Sequence, residues 1–63
     1  MNLTSLERRN KILELLNERG KVTVNELSSI FKISNVAIRA DLTELEKQGM
    51  LTRVHGGAIT SYK

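Results

Sequence analysis

Ser34-Asn-Val-Ala-Ile-Arg-Ala-Asp-Leu-Thr-Glu-Leu-Glu-Lys-Gln-Gly49 is the stretch whose reading decides the fold. It opens on a serine, whose hydroxyl can accept an amide proton from the first turn. It closes on a glycine, which enters the left-handed region without a Cβ penalty. Between these ends Ile38, Leu42 and Leu45 recur at i, i+4 and i+7, so at about 100° per residue they form one narrow apolar stripe. The pattern predicts a helix with a single buried side. Val36, Arg39, Ala40, Thr43 and Lys47 fall opposite and include no carboxylate, whereas a merely solvated face alternates charge. Such a face suits an anionic partner.

Upstream, Thr4-x-x-Glu7 and Thr23-x-x-Glu26 are two capping boxes. The first starts a helix that runs to Arg19 with Gly20 as its left-handed stop, and whose buried side is expected to hold Leu6, Ile12, Leu13, Leu15 and Leu16. The second starts a shorter helix from Val24 to Phe31, with Leu27, Ile30 and Phe31 toward the core. Lys21-Val-Thr23 between them is β-branched and reads as a brief strand or extended connector. The link Lys32-Ile-Ser34 is so short that the second and third helices must cross steeply, which is a helix-turn-helix. Downstream of Gly49, Leu51-Thr-Arg-Val54 and Ala58-Ile-Thr60 are strand-like runs around His55-Gly56-Gly57, a hairpin with a glycine tip. The expected fold is therefore mainly α with a small β-hairpin: three helices and a wing, a winged helix-turn-helix. Pairing with Lys21-Val22 would give the hairpin a third strand.

Size and composition narrow the function. At 63 residues the chain holds one small domain. It has no cysteine and one histidine, so neither disulfides nor a zinc cluster is expected to support it. There is no apolar run of membrane-spanning length and no apolar segment of a secretory signal, and the cytoplasm is the expected compartment. A net charge of +3 leans toward an anionic partner without deciding it. Nucleophile and base pairs, metal clusters and phosphate-cradling glycine loops are missing from the sequence, so no enzyme activity and no cofactor is expected of these residues.

Arg8, Ile12 and Leu16, then Ser34 and Ile38-Arg39-x-Asp41-Leu42, then Gly49 followed by Arg53-x-His55-Gly56-Gly57-Ala58, resemble the DNA-binding domain of the DeoR family of bacterial sugar-metabolism repressors over nearly the whole chain. The third-helix pattern joined to this wing at this spacing is specific. Two positions depart from the family pattern: Ala37, where a threonine is typical, and Ala40, where a second basic residue is common. The missing hydroxyl would remove a bond worth roughly 0.5–1.5 kcal/mol. The alanine at 40 removes a positive charge and leaves a methyl that can meet a thymine methyl.

The resemblance implies a domain over residues 1–60, with the helix-turn-helix over about 22–48 and the wing over about 51–60. Residues 61–63 would then begin a linker to an absent C-terminal domain that binds a phosphorylated sugar effector. It also implies a homo-oligomer in the full-length protein and double-stranded DNA as partner. The function expected is sequence-specific DNA binding by a transcriptional regulator, a repressor of a carbohydrate operon released by that effector.

On this reading Asn35, Val36, Arg39, Ala40 and Thr43 face base edges. Arginine can bridge a guanine and asparagine an adenine, and the apolar side chains suit thymine methyls. Ser34, Lys47, Arg53, His55, Gly56 and Gly57 are assigned to the DNA backbone. Each has a plainer alternative. Arg39 could pair with Asp41 or a glutamate, Asn35 could extend the Ser34 cap, Val36 could be an ordinary exposed valine, and the glycines could serve the turn alone. Asp41 lies beside the apolar stripe and is expected to be structural, paired to a basic side chain such as Arg53. Arg8, Arg9 and Lys11 form a basic start to the first helix, read as a solvated face with phosphate contact as the alternative. Two other functions fit a winged helix: the regulatory module of an enzyme, as in the biotin-operon repressor, and a protein-protein adaptor, which would need a more apolar or more acidic outward face.

Overall fold

A computed structural model of the chain describes residues 4–61. In chain order it runs α1 (Ser5–Arg19), β1 (Lys21–Thr23), α2 (Val24–Phe31), α3 (Asn35–Lys47), β2 (Leu51–Val54) and β3 (Gly57–Thr60). This is the winged helix-turn-helix expected from the sequence. The expected linker at 61–63 lies outside the described residues beyond Ser61.

Local chemistry sets the helix ends. Thr4 and Thr23 each accept the amide of the glutamate three residues on, and each glutamate reaches back to the threonine's own amide. α1 stops at Gly20, φ 78°, whose amide donates to the Leu16 carbonyl at 2.7 Å. α3 ends in a Schellman motif: Gly49 has φ 77°, its amide donates to Glu46 and the Met50 amide donates to Leu45. α2 ends the same way with Lys32 in the glycine's place at φ 57°, and the Ile33 amide donates to Ser28. That left-handed lysine makes the tight turn of the helix-turn-helix, and the Ser28 hydroxyl donates to the Ile33 carbonyl to close it.

The three strands form one antiparallel sheet in the order β1-β3-β2. Val22 faces Ala58 across one ladder, and Arg53 faces Ala58 across the other. The wing is therefore tied to the strand that leads into α2. Thr23 is at once the last residue of β1 and the cap of α2, and the Val24 amide donates to the Gly56 carbonyl at 2.8 Å.

The core lies where the three helices meet this sheet. It consists of Ile12 and Leu16 of α1, Val22, Val24, Leu27, the α3 stripe Ile38, Leu42 and Leu45, and Leu51 and Ala58 of the wing, with Leu13, Leu15, Phe31 and Ile33 packed at its margin. Two expected core residues are outside it. Leu6 is 69% exposed, because it shares the helical phase of Leu13 but lies two turns nearer the N-terminus, past the end of the core. Ile30 is 47% exposed, since an eight-residue helix presents a narrow contact that Leu27 and Phe31 fill.

Candidate nucleic-acid interface

α3 is positioned from both sides of its length. The Ser34 hydroxyl accepts the Ala37 amide at 3.2 Å, leaving the first amides of the helix pointing outward. Asp41, 1% exposed, lies beside the buried stripe. Its carboxylate accepts from Arg8 Nε and Nη2 and from Arg9 Nε, the last at 3.0 Å. The expected partner Arg53 is not involved. The carboxylate points toward α1, where Arg8 occupies the same i, i+4, i+8 row as buried Ile12 and Leu16. That row was the available signal, because a carboxylate flanking an apolar stripe must find its charge partner on the helix the stripe packs against. The hydrogen bond to Asp41, with the charge of the carboxylate adding to it and burial opposing, holds the Arg8 pKa above its usual value. Arg8 and Arg9 thus orient the helix from behind, and the solvated-face reading of them does not hold.

With Asp41 engaged, Arg39 has no acidic partner among the described residues. It is exposed on the outward side of α3 together with Ala40, Lys47 and Val36, the last 72% exposed. Asn35 does not extend the cap. Its Nδ2 donates to Asn25 Oδ1 at 3.1 Å and joins the first turns of α2 and α3. Asn25 was not singled out in the sequence, and no spacing rule marks it; only the steep crossing of the two helices brings it there.

Thr43 is half-buried and differs from its neighbours on the outward face. Arg53 reaches back from β2, and its Nη1 donates to Thr43 Oγ1 at 2.9 Å. The Arg53 amide donates to Glu46 Oε2 at 3.1 Å. Its Nε is buried with no partner among the described residues.

The wing turn is His55-Gly56, both exposed, with Gly56 at φ 77°. Gly57 is not part of the tip. It is buried, begins β3 and faces Thr23 and Val54, and a Cβ on it would overlap the Val22 carbonyl oxygen and come within 3.0 Å of the Thr23 Cα. The structure therefore brings Val36, Arg39, Ala40 and Lys47 to one exposed face, holds half-buried Asn35 at its edge against Asn25, sets Arg53 between that face and the wing, and leaves His55 and Gly56 at the wing's end.

Comparison with known proteins is decisive at the level of family. The model of the DeoR-like helix-turn-helix domain matches residues 8–62. The chain belongs to this family. Among relatives of the DeoR-like domain, a protein named as a galactitol utilization operon repressor of Escherichia coli K12 is 53% identical over 58 residues, which are 92% of this chain and 52% of that protein. The HTH-type transcriptional regulator GolR of Listeria innocua serovar 6a is 53% identical over 53 residues, 84% of this chain and 21% of that protein. The lactose phosphotransferase system repressor of Streptococcus mutans serotype c is 50% identical over 52 residues, 82% of this chain and 21% of that protein. The chain thus spans about half the length of the first and about a fifth of the other two. No solved structure matches the chain. No helix among the described residues is long and apolar enough to cross a membrane.

Proposed function

We propose that the chain is the sequence-specific, double-stranded-DNA-binding domain of a cytoplasmic repressor of a carbohydrate operon. The observation that carries this reading is the outward face of α3, where Val36, Arg39, Ala40 and Lys47 stand exposed, Glu46 at its edge accepts from the Arg53 amide, and Arg39 has no acidic partner among the described residues. In such modules the recognition helix enters the major groove with its N-terminal residues leading. Asn35, Val36, Arg39 and Ala40 then meet base edges, and Thr43 lies one turn further along. Lys47, Arg53, His55, Gly56 and the Ser34 turn face phosphates. The names of the relatives support a role in repression, and their greater length supports a second domain reached through a linker that begins near residue 61. On this reading that domain binds a phosphorylated sugar and pairs copies of the protein, so that two winged helices address two half-sites.

The test is selection of bound duplexes from a random pool by the full-length protein, followed by a salt titration. A half-site repeated at a fixed spacing, with log K falling steeply against log salt, is the expected result. Absence of any enriched sequence, or an affinity indifferent to salt, would refute it and favour a protein-protein adaptor. Turnover of a substrate by the full-length protein would place the domain in a regulatory enzyme.

A further inference from the structure

We infer that Thr43 is a positioning residue rather than a base reader: with Glu46 it holds Arg53 against the recognition helix so that its guanidinium meets a backbone phosphate. This rests on the DNA-binding reading above and alters the role expected of Thr43. Thr43 and Glu46 are three residues apart on α3 and so lie on neighbouring positions of its surface. Both bind the same residue of β2, one through the Arg53 side chain at 2.9 Å and the other through its main-chain amide at 3.1 Å. The main-chain bond fixes where the arginine departs from the strand, and the side-chain bond fixes where it ends. Across the sheet Arg53 pairs with buried Ala58, so its strand position is set by the core as well.

Thr43 is in the helical phase of Val36, Arg39 and Lys47, which places the Arg53 guanidinium on the face turned outward, on its wing side. Its Nε is buried and unpaired among the described residues, and Nη1 is engaged, while Nη2 has no acceptor among the described residues. With Nη1 held by Thr43 and Nε buried out of reach of a second molecule, Nη2 is the donor left for an anion, at a position the Thr43 bond fixes in advance. A phosphate of a duplex lying between α3 and the wing has that chemistry. The Thr43 oxygen accepts from Arg53, so the hydroxyl is oriented by the guanidinium and not by a base edge.

The experiment compares the wild-type chain with Thr43→Val, which keeps the shape and removes the acceptor, Thr43→Ser, which keeps the acceptor, and Arg53→Ala. Binding is measured to the selected duplex, to single-base variants of it and to a mixed-sequence duplex over a range of salt. Nitrogen NMR of the Arg53 side chain reports its rotation without DNA. Thr43→Val is expected to weaken every duplex by the same factor, about two- to tenfold, and to flatten the salt slope, with no further loss when added to Arg53→Ala. Thr43→Ser should retain wild-type behaviour, and Arg53 should rotate slowly in wild type and Thr43→Ser but freely in Thr43→Val. A loss confined to one base pair with the salt slope intact would make Thr43 a base reader and overturn the inference. Free rotation of Arg53 in wild type would overturn it even if the domain binds DNA as proposed. Failure of wild type to bind any duplex, with Arg53 rotating slowly, would remove the DNA-binding reading and the phosphate with it, leaving a structural hydrogen bond only.

Discussion

Replacing Asp41 by asparagine removes a charge that is 2% exposed at its side chain and that two arginines approach, themselves 16% and 29% exposed. Asparagine fits the same volume, but one carboxylate oxygen becomes an amino group that confronts guanidinium donors. Removing one partner of a buried ion pair costs about 3–5 kcal/mol, and because both arginines retain some contact with water the lower end, about 3 kcal/mol, applies here. At roughly 0.05–0.15 kcal/mol per residue the whole domain is stabilised by only about 3–9 kcal/mol. With about 4–8 °C lost per kcal/mol in a domain of this size, Tm should fall by about 12–24 °C. Thermal melts followed by far-ultraviolet circular dichroism measure this directly. The control is Arg19→Gln, which breaks the exposed Arg19–Glu26 pair, 2.9 Å long and 46% and 38% exposed, and should cost no more than about 1 kcal/mol. If Asp41→Asn lowered Tm no further than Arg19→Gln, the reasoning from burial would be wrong and the cluster would be a surface ion pair in effect.

Arg39→Ala should cost about 1–3 kcal/mol of discrimination at one base pair, while Lys47→Ala should weaken all duplexes about equally; affinities for the selected duplex and its single-base variants separate the two, and a uniform loss for Arg39→Ala would make it a phosphate contact. The two wing glycines should behave differently: Gly57→Val should unfold the domain, because its Cβ meets the Val22 backbone, whereas Gly56→Ala, with open space around it but φ 77°, should cost about 1–2 kcal/mol in a melt. Equal Tm values for the two variants would mean that β3 can shift away from β1. Lys32→Gly relieves a left-handed lysine and, after the greater backbone entropy of glycine in the unfolded chain, should raise stability by roughly 0.5–1 kcal/mol. A lower denaturation midpoint would show that the lysine stem packs usefully on α2.

What the sequence made legible were the features set by residues close to one another along the chain. The Thr4 and Thr23 boxes, the Ser34 cap, and the stops at Gly20 and Gly49 depend on contacts within a turn, and the α3 stripe on a period. What escaped depends on which distant group arrives at a given face. Asp41 needs a cation, and what tells Arg8 from Arg53 lies not along α3 but on α1, in the row Arg8 shares with buried Ile12 and Leu16. Thr43 has the phase of a base reader, and only the register of β2 with β3 puts Arg53 over it. Gly57 looked like the second glycine of a tip because its neighbour is one, and its closeness to Val22 follows from β1 joining the hairpin. The end of α2 lacks the usual glycine, so its left-handed residue could not be read from side-chain identity.

Thr23 closes the sheet and opens the second helix in the same residue, while the wing turn receives a hydrogen bond from the very next amide. β1 and the start of α2 are tied to the wing at both ends of this ladder, since Gly20 also accepts from Thr60. Bending one against the other would break the sheet and uncap α2 together. On the function proposed above, a signal from a second domain would carry this domain as one body to a different distance or angle from a second copy, so that control becomes a question of spacing along the duplex.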